Sequence, residues 1–333
     1  MIRTLSLVLA LCLAMSQAAQ AETLKRKICV FDIIGNVGPV MGAMKDWRTA
    51  ALNWGLDAEL IAFTNEAIAA EDLKAGKCDA ALITGIRARA YNQYSGTLDS
   101  IGGIPTMEHM RVILQVLTHP SSAAKLNNGA YDIMGVAPAG AAYVFVNDRE
   151  INTLAKAAGK KVAVLDYDKT QAKMVAQVGA TPVASDITNF STKFNNGVVD
   201  VIAAPLVAYG ALELYKGLSP DGGIVNYPLV QLTMQMVARA DRFPADMVQT
   251  SREYFYNNLD KILEGLQREE QHVDPKWWID IPARDKQEYE VMMQQARIQL
   301  RDEGYYDPEM LTLQRKVRCK MDASRAECTT VVE

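Results

Sequence analysis

The side chains with the most chemical potential in this sequence stand at turns that follow short β-branched runs. Asp166-Tyr167-Asp168 follows Val162, Val164 and Leu165; Arg87 and Arg89 follow a strand-like run in Thr84-Gly85-Ile86-Arg87-Ala88-Arg89; Asp32 precedes Gly35-Asn36-Val37-Gly38. Pro205, Tyr209 and Asn226 complete the set of candidate ligand contacts, together with Thr84. Carboxylates beside phenol rings suit an amine-bearing ligand through charge pairing and cation–π contact. An arginine fork suits an anion held in two parallel hydrogen bonds, and the backbone N–H groups of a glycine turn can do the same at a helix start. Each group also has a plainer use. Asp168 is a natural helix N-cap, Asp32 can order its own turn, the arginines can decorate a solvated helix, and the glycine turn can be only a tight connection.

None of this is catalytic chemistry. His109, His119 and His272 are far apart and lack paired metal-ligand spacing, and no nucleophile elbow, P-loop or dinucleotide fingerprint occurs in the mature chain. The residues predict a ligand-binding protein that is not an enzyme and carries no cofactor or metal.

The elements that must position these residues alternate. Residues 160–215 contain a strand, a turn and an amphipathic helix through Ala172, Val175 and Val178. A second strand then starts at Thr181-Pro182-Val183, Asp186 can cap the next helix, and a third strand covers residues 198–203. Such alternation predicts a parallel sheet with helices on its faces, whose ligands sit outside the carboxyl ends of the strands. The first half repeats the logic, with strands at residues 27–34, 58–63 and 80–83. Helices follow the first two strands, to about Asn53 and over 66–75, and a later helix capped by Thr106 carries Met107, Met110, Ile113, Leu114 and Leu117. Residues 141–147 and 224–237 read as two extended crossings between the halves. Beyond Pro244 the chain is helical and charged, and the pair Trp277-Trp278 is expected to pack helices onto a lobe. The expected organisation is a leader over 1–21, lobe I over 22–138, lobe II over 139–223, a crossing strand returning to lobe I over 224–243, and C-terminal helices with a closed tail over 244–333.

The leader follows from Arg3, the apolar run from Leu5 to Met15 and the small-x-small site Ala19-Gln20-Ala21, which together predict export to the periplasm by a cleaved signal. The charge balance is mild, 35 Lys and Arg against 39 Asp and Glu, with no basic stripe, so nucleic acid is not an expected partner. Four cysteines follow the leader and allow three pairings. Cys29–Cys78 is expected because both open strands that can lie side by side. Cys319–Cys328 is expected because a polar eight-residue segment between them can close as a loop.

The text GKKVAV…VGATPV…KFNNGVVDVIAAPLVAY over residues 159–215, and Asp241-Arg242-Phe243-Pro244-Ala245-Asp246-Met247-Val248, resemble the solute-binding proteins of TRAP transporters. Within that family the chain is most similar to the divergent AdeT-type solute receptors, a group also linked to efflux and aminoglycoside resistance. The resemblance implies an α/β, type II, two-lobed clamshell, each lobe a mainly parallel sheet flanked by helices, with a helical C-terminal extension. It also implies a small-molecule solute and an inner-membrane permease as partners; the protein itself is expected to be a monomer. The alternative is an adaptor of an envelope efflux system with a degenerate cleft. Two of the family's polar anchors are missing: its carboxylate-clamping arginine aligns with Ala163, and its asparagine before the proline aligns with Ala204. Arg87 and Arg89 are the candidate replacements.

Overall fold

The computed structural model describes residues 23–333; the expected leader lies outside the described residues. The chain runs β1 (Leu24–Phe31), α1 (Pro39–Ala51), β2 (Leu56–Phe63), α2 (Glu66–Lys74), β3 (Ala80–Thr84), α3 (Gly85–Ala88), α4 (Met107–Thr118) and β4 (Tyr131–Val146). It continues through β5 (Lys161–Leu165), α5 (Lys169–Gln177), β6 (Thr181–Ser185), α6 (Phe190–Asn195), β7 (Val201–Pro205), β8 (Gly223–Val225) and β9 (Val230–Arg239). The last elements are α7 (Ala245–Asn257), α8 (Leu259–Glu270), β10 (Trp278–Ile279), α9 (Ala283–Asp302) and α10 (Pro308–Met321), with short helical turns between several of these.

One sheet runs β2-β1-β3-β9-β4-β7-β5-β6. Both ends are parallel, β1 beside β2 and β3, and β5 beside β6 and β7. The middle is antiparallel: β9 pairs with β3 and along β4, and β4 pairs with β7. Strand β4 has 16 residues, which at ~3.3 Å each reach about 50 Å, enough to run from one parallel end to the other. Its register with β9 breaks at Ile133/Gly135 and again at Pro138/Gly140, where Gly140 has φ +92°. A bulge tolerates proline and a left-handed glycine inside a strand and bends it locally.

The two ends have separate cores. Met41, Met44 and Trp47 of α1, at helical spacing, pack with Ile28–Val30, Leu73 and Ile83 on one side. Phe145, Phe194, Ile202, Leu218 and Trp277 form the other. Tyr289, Met293 and Ala296 of the long helix α9 bury against Ile101 and Val225, with Tyr227 and Met174 at the edge, so α9 braces both.

The structure revises several expected boundaries for local reasons. Strand β1 stops at Phe31 because the Asp32 carboxylate takes the Ile34 and Met41 N–H groups at 2.8 and 2.9 Å and turns the chain. The crossing expected over 141–147 begins at Tyr131, since Gly135, Pro138 and Gly140 sit at bulges rather than ends. The second expected crossing is two strands, β8 and β9, parted by a turn that contains Pro228. Asp186 does not cap α6; its carboxylate accepts from Thr188 one turn earlier, and Asn189 occupies the cap position. Both expected disulfides are present, with Cα–Cα separations of 5.9 Å for Cys29–Cys78 and 5.5 Å for Cys319–Cys328. Among the described residues no helix is long and apolar enough to cross a membrane, and no group of three or more His, Cys, Asp or Glu is placed to hold a metal.

Candidate ligand site between the lobes

Helix α2 starts directly after a parallel strand, with Asn65 accepting from Ala67 N and Ile68 N at its N-terminus. That cap fixes Glu66 in the first turn, completely buried. One Glu66 oxygen accepts from Thr84 N at 2.6 Å; the other accepts from Arg87 Nε at 2.9 Å and from the Tyr167 hydroxyl at 3.3 Å. Thr84 caps the short helix α3 by accepting from Arg87 N, which turns the Arg87 side chain back toward Glu66. The Arg87 guanidinium carbon lies 3.7 Å from the centroid of the Tyr167 ring. Tyr167 stands in the β5–α5 turn of the other lobe, so this group joins the two lobes through an ion pair, a stack and a hydrogen bond. Burial, then the Glu66 charge, pushes the phenol well above its usual range, which keeps Tyr167 a donor.

A second contact lies alongside. Arg89 donates from Nε to Gly96 O at 3.2 Å, sits over the Tyr306 ring at 4.9 Å, and brings Nη1 to 3.6 Å from Asp168. Asp168 also caps α5, accepting from Thr170 N at 3.0 Å. Nearby, buried Asp99 accepts from Thr233 N at 3.1 Å and Thr233 Oγ1 at 2.6 Å, tying residues 97–99 to the crossing strand β9. Burial pushes the Asp99 carboxyl up to about 7, against the opposing pull of the Thr233 hydrogen bonds and the Arg89 charge, with Asp168 adding to the rise.

That shift makes stability depend on pH. A carboxyl raised from 3.8 to about 7 binds more protons folded than unfolded between those values, so its stabilising contribution is full below pH ~4 and falls as pH rises to ~7. The loss is about 4 kcal/mol at 1.36 kcal/mol per unit. Asp99→Asn is expected to flatten the decline between pH 4 and 7 in urea unfolding and to be more stable than the parent at pH 8.

The structure thus brings Thr84, Arg87 and Tyr167 together, with Arg89 beside them. Other candidates have different partners. Both Asp32 oxygens are taken by its own turn, Asn36 is exposed and its carbonyl accepts from Lys45 Nζ, and Asp166 is exposed while its N–H bonds Ser185 O. Pro205 ends β7 opposite Ala142. Tyr209 is buried in the second core, 5.9 Å from Tyr215, because its ring is worth more there than in solvent. Asn226 donates to Asp280 at 2.8 Å. None of these hydrogen-bonds to the Glu66–Arg87–Tyr167 group. Ala163, at the aligned clamp position, lies in β5 opposite Val183 and packs on the second core. Sequence reasoning missed Glu66, although its place just beyond the carboxyl end of β2 was a usable signal.

A family model described as "Solute-binding protein AdeT 1/2" matches residues 48–333. The probable solute-binding protein AdeT1 of Acinetobacter baumannii is 44% identical over 299 residues, covering 90% of this chain and 98% of AdeT1. The probable solute-binding protein AdeT2 of the same organism is 29% identical over 233 residues, covering 70% and 98%. Among solved structures, a TRAP periplasmic solute-binding protein from Desulfovibrio salexigens with bound orotic acid superposes with TM-score 0.74 at 14% identity, covering 89% of this chain and 99% of that one. One from Shewanella oneidensis with bound succinate gives 0.70 at 13% identity, covering 88% and 99%. The fold is therefore the two-lobed type II architecture of TRAP solute-binding proteins, and the chain belongs to the AdeT 1/2 solute-binding protein family.

Proposed function

We propose that this protein is a periplasmic receptor, not an enzyme, that closes on a small solute between its lobes and delivers it to an inner-membrane permease of the TRAP type. The observation that carries the reading is the junction itself: polar side chains from both lobes converge on one buried carboxylate, where a bound solute would touch both halves. Family membership and the fold shared with proteins holding orotic acid or succinate support it. The lobes divide at residues 138/139 and 223/224, residues 224–243 return to the first lobe, and bending occurs where β4 carries its Pro138/Gly140 bulge. The receptor acts as a monomer and has no nucleic-acid partner.

A solute favours the closed form only through its greater affinity for it; moving a 1:99 population to 99:1 would take about 5.5 kcal/mol, and lobes already held together by their own junction need less. A screen of small acids, amines and neutral ring compounds by thermal unfolding tests this. A true solute at 100 times its Kd adds about 2.7 kcal/mol and raises Tm by several degrees. If no compound at millimolar concentration raises Tm, the receptor reading fails.

A further inference from the structure

The side chains at the junction form a mould whose present occupant is Tyr167. Resting on the receptor reading above, we infer that the solute is a planar, uncharged ring compound with an O–H or N–H donor on its edge, and that it binds by replacing Tyr167 on the face of Arg87 and beside Glu66.

Three features of the mould set that class. The first is charge. Arg87 is already paired with completely buried Glu66 at 2.9 Å, and Arg89 faces Asp168 at 3.6 Å. The junction is neutral as built, so an added carboxylate or ammonium brings an uncompensated charge into a half-buried site, which is costly. The second is shape. The Arg87 guanidinium lies 3.7 Å from the Tyr167 ring centroid, a face-on contact that any flat π-ring can make in its place. The third is the edge. Glu66 has an acceptor position filled by the Tyr167 hydroxyl at 3.3 Å, which a solute donor can take over. A saturated dicarboxylate satisfies none of the three.

Tyr167 then acts as a specificity-determining residue: it imitates the solute and competes with it. Isothermal titration of the mature chain with uracil, which is flat, neutral and carries N–H donors on its edge, tests this against succinate and spermidine as charged, non-planar probes. Uracil is expected to bind best. Tyr167→Ala removes the internal competitor and should tighten uracil about tenfold, the equivalent of 1.4 kcal/mol, while Tyr167→Phe, which keeps the ring and loses the hydroxyl, should tighten it by a smaller factor. Glu66→Gln leaves Arg87 unpaired and should move preference about tenfold toward benzoate, a planar anion. Far-UV circular dichroism establishes that each variant is folded, and Tyr167→Phe serves if the alanine variant is not. Tighter binding of succinate or spermidine than uracil, or unchanged uracil affinity in both Tyr167 variants, overturns the inference and leaves the receptor reading intact. Absence of heat from every probe in the parent and both Tyr167 variants overturns the inference as well. The receptor reading itself falls only if the broader thermal screen also finds no solute.

Discussion

Arg318→Ala is expected to cost about 3–5 kcal/mol of stability, measured as a lower urea midpoint at unchanged m-value. The side chain is fully buried in α10. Its Nε and Nη2 donate to the two oxygens of Glu327 at 2.7 Å, Nη2 also reaches Glu333 at 2.7 Å, and Nη1 donates to Gly103 O at 2.6 Å. Arg297 runs parallel to it, bonding Glu333 and Ile101 O. Removing Arg318 leaves buried Glu333 with Arg297 and Glu327 with the partly exposed Arg325 as their close cations, and releases the strap at 101–103 that leads to Asp99. The Cys319–Cys328 disulfide brackets the loop that brings Glu327 back to Arg318. A pH leg follows from the same pair. Burial alone would raise the Glu327 carboxyl, but the hydrogen bonds and charge of Arg318, then of Arg325, outweigh it and hold the group at about 2. Its stabilising contribution is full above pH ~4.5 and is lost as pH falls toward 2, on the order of 3 kcal/mol. Arg318→Ala should remove most of that acid leg.

The second large effect is at the lobe junction. Arg87→Ala removes the only cation that bonds the Glu66 carboxylate among the described residues. A buried carboxylate left unpaired costs about 3–5 kcal/mol where the structure cannot relax. Here it can: the lobes can part, exposing Glu66 to water and releasing Tyr167. The expected result is therefore a smaller loss in global stability, about 1–2 kcal/mol, combined with an opened molecule. A larger loss with no opening would mean that the lobes are fixed together by other contacts, such as Lys173 with Glu303 and Gln177 with Gln299 along α5 and α9.

How much of this was legible in the sequence depended on local pattern. The β5–α5–β6 unit was plain because apolar residues change period from two to three or four at Asp168, and Asp168 caps α5 as its type suggests. Strand β4 was half hidden, since Gly135, Pro138 and Gly140 carry the signature of a break and only the ladder with β9 shows them as bulges. Strands β8 and β9 fused into one expected crossing because both carry Ile, Val, Leu or Met along much of their length, and the turn between them is marked only by Pro228. At the site, Arg87 and Tyr167 were legible as residues at the carboxyl ends of strands. Glu66 was not, because an acid in the first turn of a helix ordinarily faces solvent and complements the helix dipole. Its burial depends on Thr84 N and Arg87, which come from 18 and 21 residues away. Tyr209 shows the converse: an aromatic after a strand looked available, but the second core claims it.

The proposed receptor has two lobes that hinge about β4 and β9 and are held shut, without added solute, by Glu66, Arg87 and Tyr167. Pulsed electron–electron resonance between spin labels carried by unnatural amino acids at the exposed positions Lys74 and Lys169 measures this directly. The prediction is one short, narrow distance in the parent and a longer, broader distribution in Arg87→Ala and Tyr167→Ala. Identical narrow distributions in all three proteins would contradict it, because the lobes would then form a single rigid body.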